Sequence, residues 1–360
     1  MNRNSIFVLQ DDVRLLSNRT SEFRLRRGIW NYEEAEININ EFSDSFKSFF
    51  EFMIDNICEE GFRTSHIEES KLREEEKETL KSLLEQLEAS NYILNIDSRD
   101  LNRELSFALL GYNLVKDNNT ADEQNLPEIL IFTDNIHAKE NIQNLSSTMN
   151  LKITFASNED YSLLLNNDLT SKIDGLTTED IVYKLKNYQG KYKAILACFS
   201  SISPKLIRNL NRISLIYHIP MVVSFIDGPM ISVLSTNPYE SGCFECFENR
   251  SLARIQDHVL FQEFAKNAKK RRLKNNTCLT PIMNILANIS LAECYLYAYY
   301  GSSRFEGRLL SIFIPTLEIQ VQDVLRIPFC DACGMVAAEQ LKEKNISTRA
   351  LIDNLIKNIN

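Results

Sequence analysis

Two cysteine pairs constrain this chain more than any other feature. Cys243 and Cys246 lie in Gly242-Cys243-Phe244-Glu245-Cys246-Phe247, and Cys330 and Cys333 in Pro328-Phe329-Cys330-Asp331-Ala332-Cys333-Gly334. Two residues separate the sulfurs of each pair, a spacing at which one tight turn aims two thiolates at one metal. Four thiolates complete a tetrahedral zinc shell with no open position, which is the structural kind of site. The alternative is a pair of disulfides or a redox dithiol. Each pair reads as the tip of a strand-like segment, without a thioredoxin-like strand-turn-helix around it. No secretory signal precedes them, so structural zinc is the favoured reading. The metal would tie a late strand to the middle of the chain.

A chain of 360 residues fits two domains. Its hydrophobic share of 44% and charged share of 25% are those of a soluble globular protein. The net charge of -9 argues against a protein whose main partner is nucleic acid. Met1-Asn2-Arg3-Asn4 opens no apolar h-region, so no signal peptide and a cytoplasmic location are expected. The most apolar long stretch, Ile282 to Gly301, contains Asn284, Asn288 and Glu293, which favours a buried helix over a membrane span. Outside the pairs, Cys58, Cys198, Cys278 and Cys294 read as small core residues.

Residues 6–38 read as strands: Ile6 to Leu9, Val13 to Leu16, Glu22 to Arg27, then Ile29 to Ile39 after a turn at Gly28. The period then changes. Phe42, Phe46, Phe49, Phe50, Met53, Ile54 and Ile57 fall on one helical stripe, and Glu74 to Tyr92 is a second amphipathic helix with Leu80, Leu83, Leu84 and Leu87 inward. Residues 1–95 are therefore expected to form a winged-helix-like unit. DNA is a poor ligand for it, because the would-be recognition helix begins Arg73-Glu74-Glu75-Glu76-Lys77-Glu78 and would repel phosphates. The basic residues Arg14, Arg24, Arg26 and Arg27 lie on strands. A solvated strand face and an acidic-peptide site are both open for them.

From about residue 95 helices and strands alternate. Arg99 to Gly111 reads as a helix and Asn118 to Gln124 as a polar loop. Glu128 to Phe132, Leu151 to Ala156, Lys193 to Phe199 and Pro220 to Phe225 read as buried parallel strands, with a helix from Pro204 to His218. Residues 96–360 thus form an α/β domain around a doubly wound sheet. Phe264 to Lys274 is a basic run, more often solvated than a binding site. A hairpin, Arg308 to Pro315 with Leu317 to Leu325, delivers the second cysteine pair.

A nucleotide-binding sheet needs a glycine-rich turn after its first strand, where backbone N–H groups cradle phosphates. Here the chain reads Thr133-Asp134-Asn135-Ile136-His137-Ala138, without a glycine, and Lys193 to Asn211 contains no acid to hold magnesium. The sheet is expected to keep its shape without the phosphate site.

Residues 127–334 resemble the ATP-dependent enzymes that adenylate ubiquitin-like and sulfur-carrier proteins, the ThiF-like superfamily. The carrying residues are Ile219-Pro220-Met221-Val222-Val223, the two cysteine motifs, and Thr280-Pro281 with Ala287, Ala292-Glu293 and Gly301. Within it, Cys243-Phe244-Glu245-Cys246-Phe247-Glu248-Asn249-Arg250 is similar to the partner proteins of YcaO cyclodehydratases, which make thiazoles and oxazolines in ribosomal peptides, including streptolysin-like toxins. In that family a winged-helix element binds the precursor's leader peptide. Gly28-Ile29-Trp30-Asn31-Tyr32-Glu33-Glu34-Ala35 resembles two of its strands.

The resemblance implies a non-catalytic subunit with structural zinc on Cys243, Cys246, Cys330 and Cys333, and ATP used by the YcaO partner instead. It also admits a flavin-dependent azoline dehydrogenase as a further partner, and a homodimer. The leader would add to Ile29 to Ile37 as an edge strand. Trp30, Tyr32, Leu80 and Leu84 are candidate apolar contacts, and Arg26, Arg27, Lys77 and Lys81 candidate partners for acidic leader residues. Alternatively Trp30 and the leucines fill the core. A free-standing adenylating enzyme is the second reading. The scattered His66, His137, His218 and His258 read as surface or capping residues. Cys278 lies where some adenylating relatives carry a thioester cysteine, a role that needs an adenylate to attack.

Overall fold

The computed structural model describes residues 5–18, 22–30, 32–96, 105, 108–110, 126–171, 175–257, 259 and 279–334. The loop at 118–124, the basic run at 264–274, His258 and Cys278 lie outside these residues, as does most of the helix expected over 99–111. The chain divides into two compact units, Met1–Asn118 and Asn119–Asn360.

In the first unit the strands are β1 (Ile6–Leu9), β2 (Val13–Asn18), β3 (Glu22–Arg27) and β4 (Glu33–Asn38). After them come α1 (Asp44–Cys58), β5 (Phe62–Arg63), α2 (Ser65–Glu69), α3 (Glu74–Ala89) and β6 (Ile93–Asn95). β2, β3 and β4 form an antiparallel sheet in that order, and β1 lies between β5 and β6 in a second. Register sets Leu25 between Leu15 and Ala35, and Phe23 opposite Ile37, so one face is apolar. The helical stripe of α1 meets it: the rings of Phe23 and Phe50 lie 5.0 Å apart, edge to face. Ser43 caps α1 by accepting from the Phe46 amide. The expected strand from Ile29 begins only at Glu33. Gly28 takes φ 82 and residues 29 and 30 bend, so Trp30 stands in a loop.

The second unit is built on a seven-stranded sheet. Its elements are β7 (Glu128–Thr133), α4 (Ile136–Thr148), β8 (Lys152–Phe155), α5 (Asn158–Asn166), α6 (Gly175–Lys184), β9 (Ala194–Phe199) and α7 (Pro204–Tyr217). They continue with β10 (Met221–Asp227), β11 (Met230–Thr236), α8 (Phe244–Leu252), α9 (Thr280–Tyr300), β12 (Arg308–Phe313) and β13 (Glu318–Asp323). The strand order is β13-β12-β11-β10-β9-β7-β8. β8, β7, β9 and β10 are parallel, as their apolar runs imply. β11, β12 and β13 continue the sheet antiparallel.

β11 is not among the strands expected from the sequence. A two-residue turn joins them, with Gly228 at φ 56, and Asp227 faces Met230 across it. The apolar helix α9 packs on β9, β10 and β11, which explains its composition, and Gly301 ends it at φ 74. Among the described residues no helix is long and apolar enough to cross a membrane.

Candidate metal centre and peptide-binding edge

The four paired cysteines converge in one buried cluster, all sulfurs within 4.8 Å of one another. Sγ of Cys243 lies 3.8 Å from those of Cys246 and Cys330, and Cys246 lies 3.4 Å from Cys333. A disulfide needs about 2.05 Å, so these are free thiols. Metal–sulfur bonds of about 2.3 Å in a tetrahedron put the sulfurs about 3.8 Å apart, which this donor set fits.

Local structure explains the convergence. Cys243 is the N-cap residue of α8 and Cys246 lies in its first turn, so the first pair opens a helix and does not tip a strand. Strand-turn-helix geometry is thus present here, and the second pair completes a four-sulfur donor set beside it. A Cβ on Gly242 would lie 2.1 Å from the Val324 carbonyl oxygen, so only glycine lets the two segments meet. In the second turn Cys330 N–H donates to Ile327 at 3.0 Å and Gly334 N–H to Cys330 at 2.9 Å. Ile327 N–H reaches Cys246 Sγ at 3.3 Å.

Around the sulfurs stands a charged frame that the sequence reading missed. Arg212 on α7 holds both carboxylate oxygens of Glu245, at 2.7 and 2.8 Å, and donates to the Asp331 carbonyl at 2.7 Å. Arg208, one turn earlier, holds both oxygens of Glu248 at 2.6 and 2.7 Å. Burial pushes the Glu245 carboxyl up, against the pull of Arg212. Asn211 accepts from the Phe244 amide at 3.1 Å and so steadies the start of α8. The available signal was the pairing of two arginines four apart on a helix with two acids inside the cysteine motif.

At the first strand-to-helix turn, Asn135 caps α4 by accepting from the amides of His137 and Ala138, at 2.9 and 3.1 Å. Those are the donors a phosphate would use. Asp134 accepts from the Ser200 amide and hydroxyl, both at 2.7 Å, and so bridges the ends of β7 and β9.

In the first unit β4 pairs with β3 on one side and is an edge of its sheet. The residues expected to meet a peptide divide sharply. Trp30 is 95% exposed and Tyr32 half exposed. Leu80 and Leu84 are fully buried in the core and can back a groove wall without touching a ligand. Arg26 lies over the Tyr32 ring, 4.0 Å from its centre, and its Nε donates to Glu34 at 2.6 Å. Arg27 donates to Asp12 and to the Asn91 carbonyl, both at 2.6 Å. Lys77 is buried against Glu74, and Lys81 bonds Glu68. All four cations are thus engaged within the unit. His66 sits against the Phe52 and Phe62 rings, and His218 is the left-handed C-cap of α7.

No family model and no curated protein matches the chain. Solved structures do match in fold. The heterocyclase TruD superimposes with a TM-score of 0.59 at 13% identity, over 92% of this chain and 43% of its own. A heterocyclase in complex with substrate and cofactor gives 0.56 at 8%, over 92% and 40%. MccB of E. coli with ATP gives 0.52 at 12%, over 91% and 99%. The chain spans about two fifths of the length of the heterocyclases it matches. At these identities the likeness shows the fold: a mixed α/β architecture shared with TruD and MccB.

Proposed function

We propose that this chain is a non-catalytic scaffold for azoline formation. Its first unit, taken as residues 1–95, captures the leader of a ribosomally made precursor. Its second docks a YcaO cyclodehydratase that closes Cys, Ser or Thr of the precursor into thiazoline or oxazoline rings. The reading rests most on the match to heterocyclases over 92% of this chain. The YcaO cyclodehydratase would use the ATP, and a flavin-dependent azoline dehydrogenase would act on the rings afterwards. Holding the leader raises the effective concentration of the core peptide at the enzyme.

The first helix turn supports the same reading. Asn135 occupies the donors a phosphate would need, and the neighbouring Asp134 carboxylate is held by Ser200. Cys243, Cys246, Cys330 and Cys333 would hold zinc in a closed shell, whose contribution is structural.

Reconstitution tests the proposal. The purified chain, a YcaO enzyme encoded beside it and the neighbouring precursor should together release water from the peptide at a rate far above that of the enzyme alone. No acceleration on adding this chain would sink the idea. The match to nearly the whole of MccB, including its ATP-bound structure, favours a second reading as a free-standing adenylating enzyme. Pyrophosphate exchange by the chain and precursor without the YcaO enzyme, abolished by Asp134→Ala, would establish that reading instead.

A further inference from the structure

A pocket of about 320 Å³ opens in the second unit between the C-terminal end of α8 and the last residues of the β12–β13 hairpin. It shares no lining residue with the four-sulfur cluster or with the first strand-to-helix turn. The inner part of its lining is apolar. Phe247, Leu309 and Val324 all pack in the core of the unit, and the last two are buried. The outer part is charged and exposed: Arg250, Arg254 and Asp323.

Those charges do not cancel within the pocket. Asp323, the one carboxylate of the lining, accepts from Arg308 Nε at 3.0 Å across the β12–β13 ladder. The two acids of α8, Glu245 and Glu248, are held by Arg212 and Arg208. Arg250 uses only its Nε, which donates to the Leu325 carbonyl at 3.1 Å. Arg254 has no side-chain partner among the described residues. Two guanidiniums four positions apart therefore face one pocket, in a chain whose net charge is -9. Like charges so placed repel, and an anion between them relieves the repulsion.

We infer that this pocket binds the C-terminal residue of a polypeptide, its carboxylate on Arg250 and Arg254 and an apolar side chain against Phe247, Leu309 and Val324. Guanidiniums grip carboxylates through paired, charge-assisted hydrogen bonds. In a C-terminal residue the carboxylate and the side chain leave the same Cα, so both walls are reached within a pocket at the small end of the ligand-binding range. An aspartate or glutamate inside a chain brings the charge without an apolar group beside it. A phosphate suits the pocket less well. Phosphates favour helix N-termini, whereas this lining meets α8 at its C-terminal end and contains no glycine. The helix dipole there opposes a doubly charged group more than a singly charged one.

The inference stands apart from the azoline reading, because its test needs neither precursor nor enzyme. A fluorescein-labelled tetraglycyl-leucine with a free carboxylate is titrated with the full chain and followed by anisotropy. It should bind saturably, and its C-terminal amide should not. Pentaglycine should bind at least about tenfold more weakly, because it buries no side chain. Arg254→Gln should weaken the leucine peptide about fivefold, the upper range for an exposed ion pair, with unchanged melting temperature. Arg250→Gln with Arg254→Gln should weaken it at least about tenfold. Equal binding of acid and amide overturns the inference, as does full affinity in the double variant. Displacement by inorganic phosphate at lower concentration than by N-acetyl-leucine would make this a phosphate site and equally overturn it. Precursor and YcaO enzyme, each with and without its last residue, then compete for the same pocket, and the one whose truncation abolishes competition supplies the end.

Discussion

Arg212 and Glu245 form a bidentate pair at 2.7 and 2.8 Å, and the same guanidinium donates to the Asp331 carbonyl. Glu245 lies between the cysteines of one pair and Asp331 between those of the other. One side chain thus clamps both turns that carry the sulfurs. Groups that orient metal ligands typically contribute about 10–100-fold to affinity when removed. Arg212→Ala should weaken metal binding by that order, read by competition with a chromophoric chelator. Arg212→Lys should restore little, because an ammonium cannot make the planar two-point grip. An unchanged affinity in both variants would show that the clamp is irrelevant to the ions.

Zinc itself is the next expectation. The chain should hold one zinc ion, bound by Cys243, Cys246, Cys330 and Cys333. Metal binding and folding are coupled in such sites. Cys246→Ser, or chelator treatment, should therefore lower the melting temperature of the second unit. Elemental analysis that finds no metal in a folded chain would remove the expectation.

The cysteine cluster was legible because chelation demands a spacing, and a spacing survives in a linear string. The parallel strands were legible for a related reason: buried on both faces, they are continuous apolar runs such as Ala194–Phe199. Peptide contacts were harder. Whether Leu80 points into the core or out of it depends on how α3 rotates against the sheet, and the string does not carry that angle. The cations of β3 were hard to read for another reason. Arg24 and Arg26 look free in sequence, but register sets them opposite Glu36 and Glu34 of β4, with which they pair. The spacing of Arg208 and Arg212 against Glu245 and Glu248 hints at the two ion pairs, but Asp331 lies over a hundred positions from Arg212 and no local pattern announces that contact.

Stability should depend on pH through Glu128. Burial pushes its carboxyl up, but hydrogen bonds from Thr154 and Lys152 and the charge of Lys191 outweigh burial and leave it below the ordinary 4.5. A depressed carboxyl contributes stability that is complete above the unfolded value and is lost as pH falls through the folded one. The acid limb of the melting curve below about pH 4.5 should therefore be shallower in Glu128→Gln than in wild type. Parallel acid limbs in the two proteins would show that Glu128 contributes nothing through ionisation.

Trp30 offers the most direct test of the proposed peptide edge. It is the only tryptophan in the chain and is 95% exposed, at the entry to the edge strand β4. A residue so exposed costs little to remove from the folded state, within about 0.5 kcal/mol. An exposed aromatic beside a strand edge left unpaired among the described residues is also the kind of side chain that dominates a peptide interface. Leader peptide added to the full chain should shift the tryptophan emission to the blue and saturate. Trp30→Ala should keep the melting temperature and weaken leader binding at least about tenfold, near 1.4 kcal/mol, measured by anisotropy of a labelled leader. Lys81→Glu should weaken an acidic leader less than that, because Lys81 already bonds Glu68. Full affinity in Trp30→Ala, with no emission change in wild type, would move leader recognition away from this edge.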